Sequence, residues 1–266
     1  MTEFITSVHN PKIKRLLALQ QKSSERRGSG LFVVEGVREL RHCLEAGFEA
    51  DSIFCLENGG NLTEVGIEAA AKSGSRIFAV SAEVYSRIAY RDSTEGVIAE
   101  IKARELHLED LRLRENPLIM ILESVEKPGN LGAILRSADA AGADAVIVCD
   151  PLTDLYNPNL IRASLGGIFS VPTVACSSAE AISWLKSNGI QILTAQLQDS
   201  SLFYDTDMTR GTAIVMGTES TGLTDIWRQA ADAHILIPML GKLDSLNVSV
   251  SAAVLMFEAV RQRRLK

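Results

Sequence analysis

Residues 118–136 have the sequence LIMILESVEKPGNLGAILR, in which an apolar run leads through a polar loop into an amphipathic segment. The run LIMIL has the length of one strand, and continuous apolar runs are typical of parallel strands buried on both faces. We predict a strand over 118–122 and a helix over 131–141, ended by Gly142. The loop between them matches neither the Walker pattern nor G-x-G-x-x-G, which disfavours a classical nucleotide site.

Two further segments repeat this passage from strand to helix. The run TAIVM at 212–216 precedes GTESTGL at 217–223, and IPM at 237–239 leads on to SLNVS at 245–249. Ligands of open α/β sheets bind at the carboxyl ends of the strands, so these segments are predicted to share a site. Taken singly, each has an equally good structural explanation. We expect helix caps at Asn130, at Thr224 and at either Ser245 or Asn247.

The alternation of strands and helices continues on both sides of these segments. In the C-terminal part it implies an α/β fold with parallel crossovers. The charged stretch 102–116 is the best linker candidate, which divides the chain into 1–101, 102–116 and 117–266. The predicted strands are 31–34, 52–56, 76–80, 96–101, 145–149, 172–175, 190–194 and 234–237. The predicted helices are 10–24, 36–46, 62–72, 158–164, 179–187, 224–231 and 247–263.

Composition places the chain among soluble globular proteins of one or two domains. It has 266 residues, of which 46% are hydrophobic and 23% are charged, and its net charge is −6. No apolar run is long enough for a membrane span, and the N-terminal residues lack the apolar core of a signal peptide. The scattered cysteines predict neither a zinc site nor a disulfide framework, and favour a reducing cytoplasm. These cysteines are Cys43, Cys55, Cys149 and Cys176.

The positive charge is concentrated locally. Between His9 and Gly30 there are six basic residues and one acidic residue, and the chain ends in RQRRLK. Such patches on an acidic protein suit a partner bound in one place. The structural alternative, solvated helix faces, is the commoner explanation for a single basic stretch.

The three segments contain no Ser-His-Asp set, no paired carboxylates and no metal cluster, and the four histidines lie outside them. Their polar, glycine-rich composition instead fits the positioning of a substrate against a pre-activated cofactor. A nucleotide-dependent phosphotransferase requires a phosphate-binding loop and metal-binding carboxylates, and these segments contain neither.

In order and spacing, the three segments resemble the motifs of the SpoU (TrmH-type) RNA ribose 2′-O-methyltransferases of the SPOUT superfamily. The matching stretches are NLGAILRSA, IVMGTESTGL and IPM with SLNVSVSAA, and NPNLIRASLGGIFSVP at 157–172 is similar as well. The resemblance covers about residues 117–264. It implies S-adenosylmethionine as methyl donor, an RNA ribose 2′-hydroxyl as acceptor, a deep trefoil knot near the C-terminus and a homodimer formed through the knotted region.

The resemblance also implies roles for individual residues. Arg136 is either the base or an electrostatic positioner, because a guanidinium is normally fully protonated. The implied catalytic residues are Asn130, Arg136, Glu219, Ser245 and Asn247. The implied cofactor-binding residues are Leu193, Thr194, Ala195, Gly217, Ile237, Met239 and Leu246.

Residues 1–101 resemble the small N-terminal α/β domain that binds substrate RNA in many relatives, through KIKRLLAL and FVVEGVRELR. This resemblance favours ribosomal RNA over transfer RNA as the substrate. A non-catalytic RNA-binding protein with the same fold is the competing hypothesis. The candidate RNA contacts are Lys12, Lys14, Arg15, Arg26, Arg27, Arg38 and Arg41.

Overall fold

A computed structural model describes residues 3–57, 74–90, 95–218, 221–243 and 245–264. The helix predicted over 62–72 lies outside these residues. None of the described helices has the length and apolar character that crossing a membrane requires. In chain order the strands are β1 Glu3–Ile5, β2 Leu31–Glu35, β3 Ala50–Leu56, β4 Arg76–Val80, β5 Val97–Lys102, β6 Leu118–Glu123, β7 Ala145–Cys149, β8 Thr173–Cys176, β9 Gln191–Ala195, β10 Ser201–Leu202, β11 Thr212–Met216 and β12 Ala233–Leu236. The helices are α1 Pro11–Gln21, α2 Ser23–Ser29, α3 Val37–Glu45, α4 Ala82–Ile88, α5 Pro128–Ala141, α6 Pro158–Ser164, α7 Gly167–Ser170, α8 Ser178–Ser187, α9 Asp225–Ala230 and α10 Val248–Arg264.

The chain folds into two compact units. The first contains Met1–Arg104 and Tyr156–Ser170, and the second contains Glu105–Leu155 and Val171–Lys266. The domain division predicted from the sequence placed residues 156–170 in the C-terminal domain, 117–266. In the structure this segment, which carries α6 and α7, belongs to the first unit.

The described residues of the first unit form a mixed sheet in the order β1-β4-β3-β5-β2, in which β5 runs antiparallel to β2 and β3. Ile13, Leu16 and Leu19 of α1 are buried against one face of this sheet. The single helix predicted over 10–24 is wrong, because Lys22 adopts extended backbone (φ −120°, ψ 119°) and separates α1 from α2.

Aromatic rings attach residues 156–170 to the rest of the first unit. The Tyr156 ring stacks on Phe32 at a centroid distance of 4.2 Å, and its hydroxyl donates to the Arg104 carbonyl oxygen at 2.6 Å. Phe169 meets Phe48 edge to face at 5.3 Å. Offset and edge-to-face pairs of this kind stabilise a core beyond the area they bury.

The described residues of the second unit form a sheet in the order β10-β12-β9-β11-β6-β7-β8, and every pairing in it is parallel. Helices α8 and α9 cover one face, where Trp227 and Leu185 are fully buried. Helix α10 packs on α5, β6 and β11. The predicted α/β class with a mostly parallel sheet is confirmed.

Residues 105–116, part of the expected linker, are anchored in the second unit. Leu108 and Leu111 are buried in its core. The Arg114 guanidinium binds the Asp144 carboxylate at 2.7 Å. The basic C-terminus is anchored too, since Arg263 donates hydrogen bonds to the backbone carbonyl oxygens of Asn116, Pro117, Met208 and Arg210.

Candidate functional site

The first motif forms the turn from β6 into α5. The helix begins at Pro128, a favourable residue for a first helical position, and Lys127 precedes it as the cap residue. The prediction that Asn130 caps the helix is therefore wrong. Asn130 lies in the first turn, where its backbone N–H donates to the Lys127 carbonyl oxygen at 3.0 Å. Its side chain therefore does not cap the helix.

The second motif is a loop closed at its base. Thr218 and Gly222 exchange backbone hydrogen bonds of 3.3 and 3.1 Å, and Gly222 has a φ of +69°. A Cβ atom on Gly217 would lie 2.3 Å from the Gly222 carbonyl oxygen, a distance that no side chain tolerates. The loop therefore requires glycine at both positions. Glu219 lies outside the described residues.

A buried carboxylate anchors the far side of this loop. Glu123, at the end of β6, is 3% exposed and accepts hydrogen bonds from the Thr224 backbone N–H at 2.9 Å and the Thr224 hydroxyl at 2.5 Å. Thr224 precedes α9 as predicted, but its hydroxyl makes no capping bond. Glu123 was not predicted as a site residue. Its only indication in the sequence is a single acidic residue at the end of an apolar run.

The third motif begins after β12, which ends at Leu236, one residue before the predicted end. Asn247 is the cap of α10, because its Oδ1 atom accepts from the Ser249 backbone N–H at 3.0 Å and the Ser249 hydroxyl at 2.6 Å. The Asn247 Nδ2 atom donates to Asn130 Oδ1 at 3.3 Å. This hydrogen bond joins the first and third motifs across 117 residues of sequence.

All three motifs meet at a pocket of about 120 Å³. Several of its lining residues were not among the site residues predicted from the sequence. They lie next to predicted residues in the chain, and only the tertiary structure shows that they face the pocket. The lining residues are Val125, Glu126, Lys127, Asn130, Gly217, Thr218 and Val248.

Three of the predicted cofactor-binding residues lie at or just after the ends of the neighbouring strands β9, β11 and β12. Because Thr194 pairs with Val215 and Ala195 with Ile235, Ala195, Gly217 and Ile237 lie at one edge of the sheet. Of the predicted set, Gly217 alone lines the pocket, and Leu246 is exposed. Leu193 and Thr194 are buried, with the Thr194 hydroxyl 2.6 Å from His234 Nδ1, and Met239 is half-buried.

Gln196, the residue after β9, carries an unsatisfied buried acceptor. Its Oε1 atom is buried and has no hydrogen-bond partner among the residues described. Its Nε2 atom donates to the Gln198 carbonyl oxygen at 2.9 Å. Unpaired buried acceptors are costly, so Oε1 marks a place where a ligand with an N–H group fits.

Arg136 is exposed on α5 and makes no hydrogen bond or ion pair with any residue in the described ranges. It does not line the pocket. Six residues along a helix correspond to a rotation of about 240° from Asn130, which explains why the two side chains point differently.

The candidate RNA contacts differ in their exposure and in their partners. Arg26 is not a candidate, because it is 5% exposed and donates to the Leu19 carbonyl oxygen at 2.6 Å. Arg15 is held by Asp51 and by the fully buried Glu100, Lys12 by Glu3, and Arg38 by Glu39. Burial raises the pKa of Glu100, and Arg15 opposes that shift. The exposed candidates are Lys14, Arg27, Arg38 and Arg41.

Comparisons with known proteins identify the family to which each part of the chain is similar. Residues 117–257 match the SpoU rRNA Methylase family, and residues 10–99 match the MRM3-like substrate binding domain. A 23S rRNA (uridine(2479)-2′-O)-methyltransferase from Streptomyces viridochromogenes is 30% identical over 267 residues, which cover 97% of this chain and 92% of that protein.

Among the solved structures that match almost the whole chain, two are informative about the reaction and the cofactor. An RNA 2′-O ribose methyltransferase is 39% identical with a TM-score of 0.83, covering 98% of this chain and 99% of its own. An AdoMet-bound rRNA methyltransferase from Sinorhizobium meliloti is 28% identical with a TM-score of 0.90, covering 98% of both chains. The resemblance found in the three motifs is thereby confirmed, and the chain belongs to the SpoU rRNA methylase family.

Proposed function

We propose that this protein is an S-adenosylmethionine-dependent methyltransferase that methylates a ribose 2′-hydroxyl in ribosomal RNA. The observation that carries the proposal is the meeting of three distant motifs at one pocket, joined by the hydrogen bond between Asn247 and Asn130. The name of the Streptomyces viridochromogenes relative and the AdoMet-bound structure support the reaction and the cofactor.

The sheet edge beside the pocket suits S-adenosylmethionine. When bound, the cofactor supplies a methyl group on a positively charged sulfur. The unsatisfied Gln196 Oε1 fits an amino group of such a ligand, and Gly217 keeps the loop backbone close to the strand ends. We assign the remaining cofactor contacts to Leu193, Thr194, Ala195, Ile237, Met239 and Leu246.

The polar residues of the motifs orient the ribose. Asn130 and Asn247 are joined by a hydrogen bond, which fixes the Asn130 side chain beside the pocket where the ribose is proposed to bind. Arg136, exposed and without an ion-pair partner among described residues, attracts an RNA phosphate or stabilises the negative charge that develops on the 2′-oxygen. A guanidinium is a poor base, so this electrostatic role is preferred. The family pattern adds Glu219 and Ser245 to the set.

The first unit supplies the RNA-binding surface in this proposal. Its match to a substrate binding domain and its exposed Lys14, Arg27 and Arg41 support that role. We propose the second unit, which contains Glu105–Leu155 and Val171–Lys266, as the knotted catalytic domain. The packing of α10 on α5, β6 and β11 is compatible with a knot.

We also propose a homodimer formed through the second unit. Five of its exposed large apolar side chains lie on the loop before α10 and on α10 itself, where a second copy would cover them. They are Leu240, Leu243, Leu246, Val250 and Phe257.

We further propose a cytoplasmic location. It follows from the proposed substrate, because ribosomal RNA of bacteria is made in the cytoplasm, and it agrees with the free cysteines.

Methyl transfer from labelled S-adenosylmethionine to unmodified 23S rRNA, followed by nucleoside analysis, tests the reaction. We expect one ribose-methylated nucleotide and loss of transfer in Arg136→Ala, with cofactor binding retained in calorimetry. Methylated bases without ribose methylation would contradict the proposal. Transfer RNA as the preferred acceptor would change the substrate, and RNA binding without cofactor uptake would favour a non-catalytic binder.

A further inference from the structure

Tyr90 is the most exposed large hydrophobic side chain among the described residues of the first unit. It is 64% exposed, compared with 47% for Phe4 in the same unit. Its hydroxyl makes no hydrogen bond with any residue that the structure describes. Single exposed apolar residues are common, so exposure alone assigns no role to Tyr90.

What distinguishes Tyr90 is that its ring is held in place. The Arg162 guanidinium lies over the ring at 3.6 Å from its centroid. Glu35, at the end of β2, accepts the Tyr90 backbone N–H at 2.7 Å and lies 3.8 Å from Arg162 Nη1. The Arg162 and Glu35 side chains are only 19% and 6% exposed. Arg162 also donates a hydrogen bond to Asn159.

A fixed aromatic ring backed by a guanidinium is suited to stacking a nucleobase. Sequence-specific RNA recognition targets unstacked bases, which pack on aromatic rings and on arginine planes. Such stacking is favourable whatever the identity of the base, because every base has a π-face. The neighbouring guanidinium adds an attraction for the phosphate backbone.

The structural alternative is that the Arg162–Tyr90 contact only attaches residues 156–170 to the first unit. That attachment is already made by the buried stack of Tyr156 on Phe32 and by the Tyr156 hydrogen bond to Arg104. A purely structural contact also gains nothing from leaving most of the Tyr90 ring in water. The exposed, preorganised ring therefore points to a ligand with a flat face.

We propose that Tyr90 is a stacking platform for an unpaired base of the substrate RNA and that Arg162 is its positioning residue. The inference rests on the proposed function, since it narrows how the first unit recognises RNA. It assigns a binding role to residues 157–170, which lie in the part of the chain that matches the methylase family but fold with the first unit.

Binding and turnover of the full chain test this proposal. The variants are Tyr90→Leu, Tyr90→Phe and, as matched control, Phe4→Leu, the other exposed aromatic of the unit. The probes are a fluorescent single-stranded RNA oligonucleotide, its duplex and unmodified 23S rRNA. We expect Tyr90→Leu to raise the Kd for single-stranded RNA about tenfold. It should raise KM for 23S rRNA with kcat and the cofactor Kd unchanged, while Tyr90→Phe and Phe4→Leu stay near the parent.

Arg162→Lys, which keeps the charge but loses the planar stack, should raise the Kd by a smaller factor. Cofactor calorimetry of each variant establishes that it is folded. An unchanged Kd and an unchanged preference for single strands in Tyr90→Leu would overturn the inference, even if ribose methylation is found. Absence of methylation by the parent protein would instead refute the proposed function, while the RNA-binding comparison would still decide the role of Tyr90.

Discussion

At the scale of single residues, Asn247 combines two interactions that sequence patterns describe separately. Its Oδ1 atom caps α10, and its Nδ2 atom donates to Asn130 at the pocket. A side-chain amide can do both because it carries an acceptor and a donor on one planar group. The residue therefore connects the stability of the helix with the geometry of the site.

Two substitutions of Asn247 separate these interactions. Asn247→Asp keeps a capping acceptor but loses the donor to Asn130, so we expect near-normal stability with reduced methyl transfer. Asn247→Ala loses both and should lower the free energy of unfolding by about 1 kcal/mol. Urea unfolding and methylation assays measure the two effects. Equal activity of parent and Asn247→Asp would show that the donor has no part in the reaction.

At the scale of elements, the sequence was most informative where a short pattern determines the local backbone conformation. Strands β4, β7 and β11 and helix α6 coincide with their predicted bounds. The short elements β1, α4, α7 and β10 were not predicted, because two to seven residues are too few for a clear hydrophobic period. The break between α1 and α2 was missed because residues 20–29 contain no apolar residue and no proline, so no sequence pattern marks where α1 ends.

The loop of the second motif allows a prediction based on crowding. In Gly217→Ala the new methyl group meets the Gly222 backbone at 2.3 Å, so the loop must shift. We expect a loss of cofactor affinity and a destabilisation of about 1–3 kcal/mol. The matched control is Gly129→Ala, where an added Cβ meets nothing within 4 Å and stability should be unchanged or slightly higher. Normal cofactor binding in Gly217→Ala would argue against a role for this loop.

At the scale of the whole molecule, the charge distribution combines an acidic total with local basic surface. The net charge is −6, and three of the seven basic residues predicted to bind RNA, Lys12, Arg15 and Arg38, are held by nearby acids. Spacing in the sequence cannot show such pairing, because Arg15 and Glu100 are 85 residues apart. Lys14 and Arg27 remain exposed and make no ion pair with residues of the described ranges.

Charge reversal at these two positions tests their contribution to RNA binding. Lys14→Glu and Arg27→Glu should each weaken binding and reduce the slope of log K against log salt by about one. Lys186→Glu, an exposed lysine of the second unit, introduces the same charge change as a control. Unchanged affinity at several salt concentrations would identify Lys14 and Arg27 as solvated surface residues.

The attachment of residues 105–116 predicts an acid-sensitive stability. Burial would raise the pKa of Asp144, but hydrogen bonds from Arg114 and from the Leu118 backbone N–H lower it. Because the folded pKa lies below the unfolded value of about 3.9, this stabilisation is present above about pH 4 and is lost as the pH falls through the folded pKa.

Asp144→Asn should therefore lower the free energy of unfolding at pH 7 by about 1–3 kcal/mol, and its difference from the parent should shrink below about pH 4. Urea unfolding at a series of pH values measures this. Glu109→Gln, an exposed acid of the same segment, should change little at any pH. A deficit of Asp144→Asn that persists in acid would assign the effect to packing rather than to charge.

The sequence by itself determined the α/β class, the order of most elements and the family, because apolar periods and short glycine- and asparagine-bearing motifs are local properties. Tertiary structure alone decided which motif residues meet, as Asn130 and Asn247 do, and which do not, as Arg136 shows. It also decided that Arg26 is buried and that residues 156–170 fold with the first unit. The physical reason is that burial and hydrogen-bond partners depend on chain segments far apart in sequence, whose approach no local pattern specifies.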